Sequence, residues 1–132
     1  MRRVPAEDVE LARQEPIVMK DLHHEHILRL FDYFEEDHQM HMIYERHESS
    51  LMARIKELQG EKEVMPEQEK WRHFVQIAYV LRYLSNKRII HRMLNTKKML
   101  FDKDGKLKVT ALQFSCVVGS KFKVCQSYYP TM

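Results

Sequence analysis

The pattern of residues 89–100 constrains the fold more than any other part of the chain. Two apolar residues run into His91 and Arg92, a polar stretch follows, and the chain becomes apolar again from Met99. This pattern predicts a short strand, an exposed loop and a second strand. Loops held between strands often carry binding or catalytic residues, so this loop is the first candidate site.

Length and charge exclude several classes of function. The 132 residues suffice for one domain with one core. The net charge is +3 and the basic residues are spread along the chain, so we expect no nucleic-acid partner. No apolar run is long enough to span a membrane, and no signal-peptide pattern follows the N-terminus. We therefore expect an intracellular, cytoplasmic protein without a membrane partner.

Cysteines and glycines set two further limits. Cys116 and Cys125 are interpreted as reduced thiols rather than as a disulfide scaffold. The three glycines, at positions 60, 105 and 119, lie far apart. A Gly-rich phosphate-binding loop needs several glycines within a few residues, so the sequence contains no such loop.

Apolar spacing and turn residues predict a mixture of helices and strands. The predicted elements are a helix over 5–22 with a break near 12–16, strands over 28–34 and 40–44, a helix from Ser50 to Gly60, a helix from Pro66 to Asn86, a strand over 88–90, and strands over 99–101 and 106–110 around an Asp-Gly turn. From Ala111 onward the chain is expected to be irregular.

The helix that follows Pro66 is the clearest of these elements. Its apolar residues keep helical spacing over several turns. They are Trp71, Phe74, Ile77, Ala78, Leu81 and Leu84.

In this order, the elements resemble the middle of a protein kinase domain. Residues 22–27 are similar to the family's L-x-H-P-N-I segment, and residues 91–98 to the catalytic loop H-R-D-x-x-x-x-N. Residues 127–130 resemble the end of an activation segment. The long helix and residues 101–105 are most similar to Ser/Thr kinases of the NIMA-related or calcium/calmodulin-dependent kinds.

This resemblance implies an α+β fold, a partial protein-kinase-like domain over residues 1–132. Residues 1–45 would be a remnant of the small lobe, with the family's C helix and the hairpin of its fourth and fifth strands. Residues 46–132 would form the first part of the helical large lobe: the hinge, helices D and E, the catalytic-loop region and a truncated activation segment.

The resemblance also implies positions around a nucleotide. Glu15 falls at the glutamate of the C helix, and Tyr44 falls at the gatekeeper position. Glu45, Arg46 and His47 fall at the hinge, where backbone groups alone could make weak contacts to an adenine.

The catalytic positions depart from the family pattern. Met93 replaces the Asp that accepts the substrate proton, and Asn95 replaces a Lys that steadies the phosphoryl group. Lys98 replaces the Asn that binds Mg²⁺, and Ala111 replaces the Asp of the D-F-G motif. The residues before Glu15 leave no room for the Gly-rich strand pair or for the lysine of the third strand. One lost electrostatic group typically costs about 100- to 1,000-fold in rate, so we expect no turnover, no metal site and no ATP or Mg²⁺ cofactor.

Two residues of the catalytic motif remain. His91 could be a general base, but its place in the motif, beneath the activation segment, favours a structural role. Arg92 could pair with a phosphorylated serine of the tail, or it could be an ordinary surface arginine. The histidines at 23, 24 and 26 lack the spacing and the cysteines of a zinc site, so we expect no metal there.

Three hypotheses follow for function. The first is a catalytically inactive, kinase-like (pseudokinase) module that acts through a protein partner or in regulation. The second is a Ser/Thr kinase with ATP-dependent phosphotransfer, in which Asp102 or Asp104 supplies the missing carboxylate. The third is an incomplete kinase gene product that does not fold alone and leaves apolar residues such as Phe74 or Leu81 partly exposed.

Overall fold

The computed structural model describes residue 13, residues 16–37, 39–92 and 94–110, and the backbone of residues 116–117. Three of the predicted site positions, Glu15, Met93 and Ala111, lie outside the described residues. So do the predicted helix before residue 13 and the segment 127–130 that resembles the end of an activation segment.

The chain is α+β, as the sequence predicts. Residues 16–19 are helical. The elements that follow are β1 (Leu30–Glu36), β2 (Gln39–Tyr44), β3 (Ser49–Ser50), α1 (Leu51–Gly60), α2 (Glu67–Asn86), β4 (Ile89–Ile90), a 3-10 turn (Thr96–Lys98), β5 (Met99–Phe101), β6 (Leu107–Val109) and β7 (Cys116–Val117). In the described part of the chain, each helix is too short or too polar to cross a membrane.

Strands β1 and β2 form the predicted antiparallel hairpin, with Tyr33 opposite Met42. Strand β1 begins and ends two residues later than the predicted strand over 28–34. The reason lies at Leu28, whose backbone N–H donates instead to the carbonyl of Val109 at 3.0 Å. The start of the predicted strand is thus bound to β6 rather than to β2.

Helix α1 begins as predicted, because the Ser50 hydroxyl accepts a hydrogen bond from the Ala53 N–H at 3.1 Å. That bond satisfies one of the donors that a helix start leaves free. The helix ends at Gly60, as predicted, and Lys62, two residues further on, takes the left-handed conformation with φ 56°. The N–H of Lys62 donates to the Gln59 carbonyl at 3.2 Å, so backbone bonds close the helix without a glycine in that conformation.

Helix α2 extends over the predicted range. Its buried residues are His73, Val80 and Leu84. Trp71, Phe74 and Leu81 are 59%, 62% and 42% exposed. The exposure of Phe74 and Leu81 agrees with the expectation that these two residues stay partly exposed. The helix carries apolar residues on two sides, and periodicity alone does not show which side faces the core.

Strands β3, β5 and β6 form an antiparallel sheet in that order. The predicted Asp-Gly turn joins β5 to β6, with Gly105 at φ 75°, a conformation that glycine adopts without steric cost. This sheet, α1, α2 and the segment before β1 enclose the core. Its buried members are Met19, Leu22, Ile27, Leu51, Val80, Leu84, Met99, Leu107 and Val109.

The tail after Ala111 is not irregular throughout. Strand β7 pairs antiparallel with β4, with Ile89 opposite Val117 and Ile90 opposite Cys116. The prediction of an irregular tail was wrong at this point, because a strand of two residues is too short to show a period in the sequence.

Candidate functional site

His91 lies inside the molecule directly after β4. It is 3% exposed, and its Nε2–H donates to the carbonyl of Thr110 at 2.8 Å. Burial lowers the pKa of His91; the hydrogen bond to Thr110 opposes this shift, and the nearby charge of Lys98 adds to it. The ring is therefore neutral at pH 7 and ties β4 to the end of β6.

His26 attaches the segment before β1 to β6. Its Nδ1–H donates to the Leu107 carbonyl at 2.9 Å, and its backbone N–H donates to Nδ1 of His24 at 3.0 Å. Burial lowers the pKa of His24, and the neighbouring His26 acts in the same direction. A neutral His24 is what this bond requires, since a protonated ring has no acceptor. The name inner junction is used below for His26, His91, β6 and Thr110.

Two of the positions that the resemblance aligns with the family's catalytic residues, Asn95 and Lys98, lie at the 3-10 turn that precedes β5. Asn95 caps the 3-10 turn, because its side-chain oxygen accepts from the Lys97 N–H at 3.0 Å. Lys98 ends the turn, and its carbonyl accepts from the Thr110 N–H at 2.9 Å. Lys98 therefore holds a positive charge beside His91. The name reaction-side positions is used below for Met93, Asn95, Lys98 and Ala111.

Arg92 lies between these two regions. It is exposed and has φ 70°, a left-handed conformation that is uncommon for a residue other than glycine. Such conformations concentrate at binding and switch sites. The serines considered as its phosphorylated partners lie outside the described residues, so that pairing stays a prediction.

Glu45, the first predicted hinge residue, is bound within the molecule. Its Oε1 accepts from the Arg29 backbone N–H at 2.9 Å and lies 3.3 Å from Nζ of Lys108. Both side chains are largely buried, 22% exposed for Glu45 and 10% for Lys108. The carboxylate thus joins β1, β6 and the hinge, and sequence reasoning missed the role of Lys108. In the sequence, Lys108 is one lysine between apolar neighbours in β6. Strand alternation predicts that such a lysine faces solvent.

The other hinge positions are more open. Tyr44 packs against the core, and its hydroxyl donates to Sδ of Met42 at 3.4 Å. Arg46 and His47 are exposed, and Arg46 lies 3.9 Å from a carboxylate oxygen of Glu48. The structure therefore brings Glu45 to the inner junction and leaves Arg46 and His47 at the surface.

An open cavity of about 570 Å³ lies between α1, α2 and the β5–β6 hairpin. Its wall includes Arg54, whose Nε lies 3.2 Å from Oε1 of Glu69. The hydrogen bond with Arg54 lowers the pKa of Glu69, against the effect of burial. His73 also lines the cavity, and burial lowers its pKa. Of the site residues considered from the sequence, Asp102 lines this cavity.

No metal centre is formed by the described residues, since no three His, Cys, Asp or Glu side chains in them converge. Asp102, considered as a substitute carboxylate, serves the hairpin turn: its Oδ1 accepts from the N–H of Asp104 and of Lys106, both at 2.9 Å. Burial raises the pKa of Asp102, but these bonds and nearby lysine charges outweigh it and lower the pKa.

Comparison with known proteins decides the family. A family model described as "Protein kinase domain" matches residues 2–131. The chain belongs to the protein kinase family. It is 31% identical over 104 residues to an Aurora kinase of Patiria pectinifera, covering 78% of this chain and 25% of that protein. It is 33% identical over 103 residues to an Aurora kinase of Dictyostelium discoideum, covering 78% and 26%.

A Ser/Thr kinase of the NIMA-related kind is also similar. The serine/threonine-protein kinase Nek3 of Mus musculus is 25% identical over 108 residues, covering 81% of this chain and 21% of that protein. The chain spans about a quarter of the length of these relatives or less. The kinase-like fold and the Ser/Thr kinase relationship predicted from the motifs are thus confirmed.

Proposed function

We propose that the chain is a catalytically inactive, kinase-like module that acts through a protein partner or in regulation. The observation that carries this proposal is the place of Lys98. Its carbonyl accepts from the Thr110 N–H beside the inner junction, and by motif spacing it aligns with the residue whose amide oxygen binds Mg²⁺ in the family. An ammonium group there repels the metal instead of binding it.

Two further sequence positions support the same reading. Met93 has no oxygen to accept the substrate proton, and Ala111 has none to hold Mg²⁺ against the phosphates. Phosphoryl transfer depends almost entirely on positioning and charge stabilisation. Because each lost group costs about 100- to 1,000-fold, the three losses together remove useful turnover.

Of the two turn carboxylates considered as a replacement, Asp102 already serves the turn. Asp102 is engaged with two backbone N–H groups at the far end of the β5–β6 hairpin. Metal-independent contact of an adenine with the hinge backbone remains compatible with the proposal, and would be weak without a phosphate-binding loop. An intracellular, cytoplasmic location belongs to the same proposal, supported by the kinship with Ser/Thr kinases.

The proposal is tested by measuring transfer of the γ-phosphate of ATP to a generic Ser/Thr peptide, with and without Mg²⁺. We expect no transfer above a heat-denatured control. Mg²⁺-dependent transfer, or a rise in Tm at millimolar ATP that requires Mg²⁺, would support the atypical kinase instead. Circular dichroism must first show the helices α1 and α2, since an unfolded chain would support the incomplete gene product.

A further inference from the structure

Acidic and basic residues are distributed differently along the chain. Residues 1–69 contain 17 of the 19 acidic residues, whereas residues 70–101 contain eight lysines and arginines and no aspartate or glutamate. A run of like charges by itself is usually no more than a solvated surface. The ion pairs of these residues therefore decide whether the run is able to bind a partner.

Within the described part of the chain, the basic residues of this run lack carboxylate partners. Seven of the eight form no ion pair with a described residue: Lys70, Arg72, Arg82, Lys87, Arg88, Lys97 and Lys98. Outside the run, five described basic residues do have a carboxylate partner: Arg13, Arg46, Arg54, Lys106 and Lys108. The run therefore keeps a positive charge that the described carboxylates do not neutralise.

Three of these basic residues, Arg92, Lys97 and Lys98, belong to the loop between β4 and β5, and they are called the basic loop below. Arg92 is exposed and directly follows His91. Lys97 is exposed in the 3-10 turn that Asn95 caps. Lys98 is half-buried and lies close enough to His91 to lower its pKa. Because a partly buried ammonium group without a counter-charge is costly, an added negative charge would stabilise this loop.

We propose that the basic loop binds an acidic segment of the partner protein, with Lys97 and Lys98 supplying most of the attraction. The inference rests on the proposed function, because it names the chemistry of the partner. The loop aligns with the one that meets a protein substrate in the family. Its surface is therefore an open one in such a domain, whatever residues precede or follow these 132.

The acidic part of the chain limits the kind of anion that binds. Residues 1–69 contain nine lysines and arginines against their 17 acidic residues. That excess of negative charge repels an extended polyanion, such as a nucleic acid or an anionic membrane, which gains its affinity from many basic contacts. A short acidic segment contacts the basic loop alone, and recognition of acidic motifs by clustered basic side chains is a common binding mode.

The expected binding is weak and depends on salt. Each exposed ion pair changes a Kd by only about 1.5- to 5-fold. A few such pairs give a Kd on the order of 100 µM at low salt. Raising NaCl from about 50 to about 200 mM should weaken the binding about threefold or more, because salt screens exposed charges.

Fluorescence anisotropy of a labelled peptide with the 132-residue chain tests the proposal. The probe has about 12 residues that alternate Glu and Ser, and a peptide of the same length that alternates Lys and Ser should not bind. The double variant Lys97→Glu with Lys98→Glu should raise the Kd at least about tenfold, because each reversal replaces attraction by repulsion. Lys97→Glu alone, at an exposed position, should raise it about threefold.

The matched control is the double variant Lys20→Glu with Lys56→Glu. It makes the same change in net charge at two exposed lysines outside the run, and the Kd should stay within about twofold. Circular dichroism on every variant confirms that the helices are intact.

Three results would overturn the inference: no binding of the acidic peptide by the folded chain, equal losses in the two double variants, or tighter binding of a single-stranded oligonucleotide of about 12 nucleotides. The last result would assign the basic loop to nucleic acid. None of the three touches the proposed loss of catalysis, whereas ATP-dependent phosphate transfer would remove the proposed function whether or not the peptide binds.

Discussion

The inner junction and the reaction-side positions adjoin each other in the chain, but they differ in burial and in hydrogen bonding. In the inner junction, His26 and His91 are buried and each donates a hydrogen bond to a backbone carbonyl. Asn95, by contrast, is exposed and Lys98 only half-buried, and both differ from the side chains of the family motif with which the resemblance aligns them. The fold therefore rests on His26 and His91, whereas the proposed loss of phosphoryl transfer rests on positions that depart from the family pattern.

The largest expected effect comes from breaking the inner junction at His91. The variant His91→Ala leaves the Thr110 carbonyl without its partner and opens a cavity, which should lower the free energy of unfolding by about 3 kcal/mol. Urea unfolding followed by circular dichroism measures the loss. The control is Lys98→Ala, which should change stability by less than about 0.5 kcal/mol. Equal losses for the two variants would remove the distinction between the regions.

Glu45 tests whether the hinge belongs to the inner junction. Glu45→Ala leaves Lys108 largely buried without its counter-charge and removes the bond to Arg29, so stability should fall by about 2 kcal/mol. Glu48→Ala is the matched control, because the pair of Glu48 with Arg46 is long and exposed and should contribute less than about 0.5 kcal/mol. A neutral Glu45→Ala would show that its carboxylate is free to serve a ligand instead.

Acid should weaken the inner junction before it affects the carboxylates. Burial lowers the pKa of His91 and of His24 below the ordinary 6.5, so the unfolded chain takes up these protons first. Their contribution is fully present above pH 6.5 and is lost as the pH falls through 6.5 towards the folded pKa values. Thermal unfolding between pH 8 and pH 5 should show Tm falling on the acid side.

The variant His91→Gln sharpens this measurement. A glutamine amide can still donate to the Thr110 carbonyl but does not titrate, so the fall in Tm with acid should become shallower. An unchanged slope would mean that His91 does not contribute to the pH dependence.

The smallest effect is expected at the reaction-side positions. Lys98→Asn restores the family's side chain at a half-buried turn position, so stability should change by less than about 0.5 kcal/mol. Mg²⁺ affinity should stay undetectable by calorimetry, because Ala111 still supplies no oxygen ligand. Tight Mg²⁺ binding by this single variant would show that Lys98 alone blocks the site.

Local signals in the sequence were enough for much of the fold. Ser50 and Pro66 mark helix starts, and Asp-Gly marks the β5–β6 turn, because each acts through backbone geometry within a few residues. Helical spacing located α2 but did not show which side packs, because Trp71 and Phe74 are as apolar as the residues that pack. Packing against residues that are distant in the chain decides which of two apolar faces is buried. A short window of sequence carries no information about that packing.

The candidate site, like the fold, could be predicted from the sequence only in part. The family motif assigns the reaction-side positions by spacing alone, since Lys98 follows His91 at the family's interval, and this assignment stays a prediction. The pairing of Lys108 with Glu45 was missed, because these residues are far apart in the chain and meet only when β6 reaches the hinge. The strand β7 was missed for the same reason, as its order comes from β4.

The central claim is that the chain keeps the kinase scaffold but has lost phosphotransfer. The most direct test of this claim is phosphotransfer by the variant Met93→Asp. This variant restores the carboxylate that accepts the substrate proton but leaves Lys98 and Ala111 in place. The account predicts a folded protein with no ATP-dependent phosphate transfer to a Ser/Thr peptide. Mg²⁺-dependent transfer by Met93→Asp alone would contradict it, since the other two losses would then not matter.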